Sequence, residues 1–212
     1  MRKLLVFLLF YSALATSLYG QVPESNFRSS QTESSEPPPR KTVQLDWHAE
    51  LKKVQGELAH KPNSAFLHSQ AATAYNALSD LPGFNREIRL AMHFDKSRAA
   101  YCYFAYAVYK QRHLKTLQVQ ALERALQIDP GNPFGHYERA AIFEDDNQLA
   151  DALAEYQATQ KMLEQVRPNP DPRSYSKWTY FDPRGDPYDV TIQRARIDDD
   201  VARVQAELAK SK

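Results

Sequence analysis

"DPGNPFGHYERAAIFEDDNQLADALAEYQATQKM", residues 129–162, is the stretch whose reading decides the fold. It opens on a Pro-Gly turn, carries apolar residues at helical spacing from Pro133, breaks at the polar "EDDNQ", and resumes a helical pattern up to Met162. That pattern predicts two helices joined by a short turn, with Asn132 as an N-cap and Pro133 in the first helical turn. The opening punctuation recurs at equal intervals: "KPNS" begins at Lys61, "DKSR" at Asp95 and "DPGN" at Asp129. A fixed period of about 34 residues marks a repeat architecture.

Dividing the chain into blocks 61–94, 95–128 and 129–162 aligns four columns. Tyr75, Tyr109 and Phe143 form the first, Ala91, Ala125 and Thr159 the second, Ile88, Leu122 and Tyr156 the third, and Phe94, Ile128 and Met162 the fourth. Each block predicts two helices, the first starting near Ser64, Ser97 and Pro133 with Asn63, Ser97 and Asn132 as caps. The mid-block breaks fall at "SDLPGF", "QRHLK" and "EDDNQ". One hairpin of this size cannot bury both apolar faces, so successive units must stack on one another.

On these residues the chain resembles the tetratricopeptide repeat family, whose signature places a small residue three positions before an aromatic on the first helix and Ala-x-x-x-aromatic on the second. The third block carries Ala140 with Phe143 and Ala152 with Tyr156; the first carries Ala72 with Tyr75 and Ala91; the second carries Tyr109, Ala125 and the "DP" at Asp129 and Pro130. Three positions depart from the pattern: Tyr106 occupies the small-residue column, while Phe84 and Gln118 stand where Ala begins the second-helix signature. The resemblance implies an all-α solenoid of about three hairpins over residues 45–167. "LDWHAELKKVQGELAH" before it predicts an extra amphipathic helix with Leu45, Leu51, Val54 and Leu58 on one side.

The resemblance also implies a function. Such repeats hold an extended peptide or a partner helix on the concave face, built mainly from first helices. The inward positions it implies are Phe66, Ser69, Thr73 and Asn76 in the first block, Tyr103, Lys110 and Gln111 in the second, and Phe134, Tyr137, Glu144 and Asp145 in the third. The set is mixed, aromatic at one edge and polar at the other. It lacks the Lys/Arg/Asn group with which some members clamp a C-terminal carboxylate. Tyr109, Cys102 and Phe104 are expected to be packing, which leaves Tyr103 as the binding candidate within the aromatic run "YCYFAYAVY" at 101–109.

The two ends differ from the middle. "MRKLLVFLLFYSALATSLYG", residues 1–20, has cations at Arg2 and Lys3 followed by an apolar run and small residues, the pattern of a signal peptide. An uncleaved anchor is the alternative, and would be the only membrane attachment expected. The expected location is therefore periplasmic or secreted, or membrane-anchored facing outward. Residues 21–44 are rich in Ser, Glu and Pro and poor in large apolar side chains, which predicts a disordered linker. After the repeats, "PNPDPRSYSKWTYFDPRGDPYDV" is expected to be irregular, with Trp178, Tyr180 and Phe181 folded against the last repeat. "VTIQRARIDDDVARVQAELAK" then predicts a C-terminal capping helix with Ile197, Val201, Val204 and Leu208 on its inner face and Asp198, Asp199 and Asp200 solvated.

Composition narrows the chemistry. The 212 residues carry a formal net charge of +1 and no long cationic run, so nucleic acid is not an expected partner. Cys102 is the only cysteine, which excludes an internal disulfide. His68, Cys102 and His136 share one column, but equivalent positions in stacked hairpins lie roughly 8 to 10 Å apart, whereas zinc ligands sit about 2.0 to 2.3 Å from one ion. "SYSK" at 174–177 and "RGD" at 184–186 lack the context that would make either functional. No cofactor and no enzymatic activity are expected. The reading is a non-catalytic scaffold or adaptor for another protein or peptide; a self-assembling homo-oligomer and an accessory subunit of an envelope or secretion complex are the alternatives.

Overall fold

A computed structural model describes residues 45–168, 177–181, 187–191 and 194–210, with side chains described over 45–167 and 196–210. The expected signal peptide, the 21–44 linker and the "RGD" tripeptide lie outside the described residues, as do Ser174 to Ser176 of "SYSK" and the side chains of Trp178, Tyr180 and Phe181. Residues 45–212 form one compact unit, distinct from residues 1–44.

The helices are α1 (Trp47–His60), α2 (Ala65–Ala77), α3 (Leu81–Phe94), α4 (Ala99–Gln111), α5 (Lys115–Ile128), α6 (Pro133–Asp145), α7 (Leu149–Leu163) and α8 (Arg194–Lys210). The pairs α2/α3, α4/α5 and α6/α7 pack as hairpins, and consecutive hairpins stack through α3 on α4 and α5 on α6. First helices begin at Ala65, Ala99 and Pro133 and second helices at Leu81, Lys115 and Leu149, so the period of the sequence is the period of the structure. The extra N-terminal helix obeys the same register: α1 begins one full period before α3 and is the second helix of a further unit. Its Val54 heads a column that continues through Ile88, Leu122 and Tyr156, all buried. Leu51, Val54 and Leu58 pack on α2 as expected, but Leu45 precedes the helix and is exposed.

Each hairpin turns in the same way. Ser79, His113 and Asn147 have φ of 60°, 56° and 58°, and they too stand one period apart. The next amide reaches back to the aromatic column, from Asp80 to Tyr75 O (2.8 Å), Leu114 to Tyr109 O (2.9 Å) and Gln148 to Phe143 O (2.8 Å). These 6→1 bonds, with the left-handed residue before them, are Schellman closures that satisfy the last carbonyls of each first helix.

Two helix starts differ from expectation. Ser64 rather than Asn63 caps α2, its hydroxyl accepting from the Leu67 amide. Arg98 occupies the cap of α4 and makes no side-chain bond to the helix amides, while Ser97 donates its hydroxyl to Asp95. Asn132 caps α6 as expected, accepting from the amides of Phe134 and Gly135.

The segment after the repeats is not wholly irregular. β1 (Arg167–Pro168), β2 (Lys177–Phe181) and β3 (Pro187–Thr191) form a three-stranded antiparallel sheet in that order, and β3 comes alongside α6. The flanking Pro and Asp residues hide two short runs, "KWTYF" and "PYDVT", whose aromatic and β-branched residues suit paired strands. The last helix accordingly starts at Arg194, with Val190 and Thr191 belonging to β3. Ile197 and Val204 are fully buried, and Val201 and Leu208 pack beside them against α6 and α7.

Candidate functional site

The first helices present three kinds of position, and the side chains sort themselves by what the next unit offers. Ser69, Tyr103 and Tyr137 share a column, in which Ser69 is buried and the two tyrosines face forward. Ser69 is 0% exposed and donates its hydroxyl to Phe66 O at 2.7 Å. Tyr103 is 5% exposed, with its ring edge-on to Phe134 at 5.7 Å. Its hydroxyl lies where a side chain on Gly135 would collide, so the missing Cβ of α6 lets the ring sink between the two first helices. Tyr137, in the third unit, donates its hydroxyl to Asp200 of α8 at 3.1 Å and tilts against Tyr156. The expectation that Ser69 and Tyr103 line an accessible face is therefore corrected: both are buried, Tyr103 between two first helices, and α8 meets Tyr137 in the third unit.

A second column, Asn76, Lys110 and Glu144, also reaches forward. Arg112 donates to the Asn76 side-chain oxygen at 3.0 Å, Lys110 reaches the Glu138 carboxylate, and Arg203 of α8 binds both oxygens of Glu144. Glu144 accepts in addition from the Tyr156 hydroxyl at 3.0 Å. The Arg203 guanidinium foremost, with Tyr156 assisting, holds the Glu144 carboxyl below the usual range. Asp200 is likewise not simply solvated: it takes bonds from Tyr137 and, at 2.7 Å, from Arg203.

The remaining candidates are more accessible. Gln111 and Asp145 are exposed, and the Lys110 side chain is half exposed beside Glu138. Phe66 is half-buried on the Val54, Leu67 and Ala71 cluster, and Thr73 is half-buried with its hydroxyl donating to Ser69 O. Phe134 is half-buried against Tyr103 and Tyr106.

Tyr106, the bulky residue in the small-residue column, is accommodated by the following unit. It is buried, sits edge-on to Phe134, and donates its hydroxyl to Glu138 of α6, while the Lys110 ammonium lies 5.7 Å from its ring centroid. The sequence marked Tyr106 as anomalous, but nothing local pointed to Glu138, almost a full repeat further along the chain.

The His68, Cys102 and His136 column is structural. His68 Nδ1 lies 2.7 Å from Glu87 and its Nε2 2.8 Å from Pro62 O; His136 repeats this with Glu155 at 2.6 Å and Pro130 O at 2.8 Å. In the middle unit Cys102 and Ala121 replace both partners. Burial pushes the Cys102 thiol up to about 11, which suppresses the nucleophilic thiolate.

The repeat geometry, read from the helices themselves, settles the architecture. The fold is a tetratricopeptide-like α-solenoid. No family model matches the chain, and no curated protein matches it. Among solved structures it is similar to the crystal structure of MamA, at 14% identity over 55% of this chain and 68% of that one, with a TM-score of 0.47. The solenoid described above stands on its own hairpins and turns.

Proposed function

We propose that this chain is an exported, non-catalytic adaptor that holds another protein or peptide on the inner face of its solenoid. The observation that carries this reading is the pair of polar ends. The outward positions of α1 include Lys52, Lys53 and Glu57, and those of α8 include Asp199, Gln205, Glu207 and Lys210, all exposed. Terminal units with such faces close a solenoid against stacking with other copies. That leaves the long inner surface, with Phe66, Thr73, Asn76, Lys110, Gln111 and Asp145 still reachable, as the extended feature of the molecule. The two column histidines, His68 and His136, are bound to carboxylate partners, and Cys102 lies in the core. Export rests on the cationic and apolar pattern of residues 1–20. It is tested by expressing the chain in a bacterium and finding the mature N-terminus after residue 15 or 20; an intact Met1 in the cytosol would refute it.

The adaptor reading is tested by affinity capture from the native envelope with the wild type and a Phe66→Ala/Gln111→Ala/Asp145→Ala variant, one change per unit. A partner recovered by the wild type should be lost or strongly reduced with the variant. Equal recovery sinks the inner-face assignment, and a mass that grows with concentration in light scattering would favour a self-assembling protein instead.

A further inference from the structure

The inner side of the third unit is already in use. α6 has its hairpin partner α7 along one side and α5 behind it, and α8 reaches it from ahead through Tyr137–Asp200 and Glu144–Arg203. β3 also comes into contact with α6. The side of a first helix that neither the hairpin partner nor the neighbouring units cover is the inner side of the superhelix, where solenoids hold ligands. β3 is extended, and it is held by antiparallel pairing to β2 along its whole length, from Lys177↔Thr191 to Phe181↔Pro187.

We infer that β3 is an intramolecular occupant of the inner face at α6, and that the external partner is an extended segment that competes with it for this place. The inference rests on the adaptor reading and specifies the partner's form: a strand-like peptide rather than a helix. A segment tethered this closely acts at an effective concentration on the order of millimolar, so even an intrinsic affinity of about 100 μM keeps it seated roughly ten to one. A competing peptide would bind weakly until β3 leaves, and the apparent affinity would rise by the same factor once it does.

The probe is a fluorescein-labelled synthetic peptide of residues 185–193, GDPYDVTIQ, titrated by anisotropy into the full chain. It is compared with an Asp189→Pro/Val190→Pro variant. Two consecutive prolines remove both amides, whichever of them serves the pairing opposite Thr179 and Trp178. The variant should bind the peptide at least ten-fold more tightly than the wild type, with unchanged helical circular dichroism. Replacing 187–191 with Gly-Ser-Gly-Ser-Gly, which removes the strand without proline, should give the same gain. Equal affinities for wild type and both variants, or no binding to either variant, overturns the inference. The two readings separate cleanly. Partner loss in the Phe66/Gln111/Asp145 capture without a peptide gain overturns only the cis-occupant inference, whereas a peptide gain with undiminished capture overturns only that assignment of the adaptor's contact residues.

Discussion

The imidazole of His136 lies 2.6 Å from the carboxylate of Glu155, and its other ring nitrogen lies 2.8 Å from the carbonyl of Pro130. Both neighbours are acceptors, so the doubly protonated ring satisfies the site best. The hydrogen bond to Glu155 is the main reason that the His136 pKa is raised, with the Pro130 carbonyl adding to it against the opposing effect of burial. For Glu155 burial is the largest single influence and pushes upward, but the bonds from His136 and Arg139 together outweigh it and lower the pKa.

His136 binds its proton more tightly folded than unfolded, so its contribution to stability is fully present below about pH 6.5 and is lost as pH rises through the raised folded value. The Glu155 contribution is present above the ordinary Glu range and is lost as pH falls through its lowered value. Thermal melts of wild type and His136→Gln should therefore differ more at pH 6 than at pH 9. A difference independent of pH over that range would show that the pair is not charged.

Tyr106 and Glu138 couple the second unit to the third. Tyr106→Phe keeps the ring and removes the hydroxyl that Glu138 accepts, leaving a buried carboxylate with Lys110 as its remaining described partner. The expected cost is about 1 to 3 kcal/mol. In a chain of this size each kcal/mol lowers Tm by about 2 to 4 °C, which calorimetry resolves. An unchanged Tm would mean that water replaces the hydroxyl without loss.

Cys102 should be chemically silent. With the thiol pushed up to about 11 from its ordinary 9.0, the thiolate fraction near pH 8 falls about 100-fold. Ellman's reagent should label the native protein at least that much more slowly than the urea-unfolded chain. Rapid native labelling, or a covalent dimer in non-reducing mass spectrometry, would contradict its burial.

The three hairpin turns carry left-handed residues with a Cβ, which costs roughly 1 to 2 kcal/mol where the side chain tolerates that conformation poorly. His113→Gly should stabilise the chain by about 0.5 to 1 kcal/mol after the added unfolded-state entropy is counted, and Asn147→Gly by less, because Asn enters this region readily. Urea midpoints measure both. A destabilised His113→Gly would indicate that the imidazole makes a contact that outweighs the strain.

Local signals account for what was legible in the sequence. The period was visible because capping, turn chemistry and apolar spacing act over a few residues, so the breaks near Ser79, His113 and Asn147 and the cap at Asn132 could be read directly. The register of α1 was also there to be seen, since Val54 precedes Ile88 by the same interval that separates Ile88 from Leu122. The small sheet was obscured because its strands are short and embedded in Pro and Asp.

The amino-acid sequence by itself determined the helical hairpin, its length and its repetition. Only the tertiary structure decided what each first-helix side chain meets: Tyr103 the gap left by Gly135, Tyr106 Glu138, Tyr137 Asp200, and Gln111 and Asp145 solvent. The reason is physical. Helix ends and turns are set by neighbours within a turn or two of chain, whereas the division between packing and binding surface depends on residues about one repeat or more away that come into contact only when the units stack.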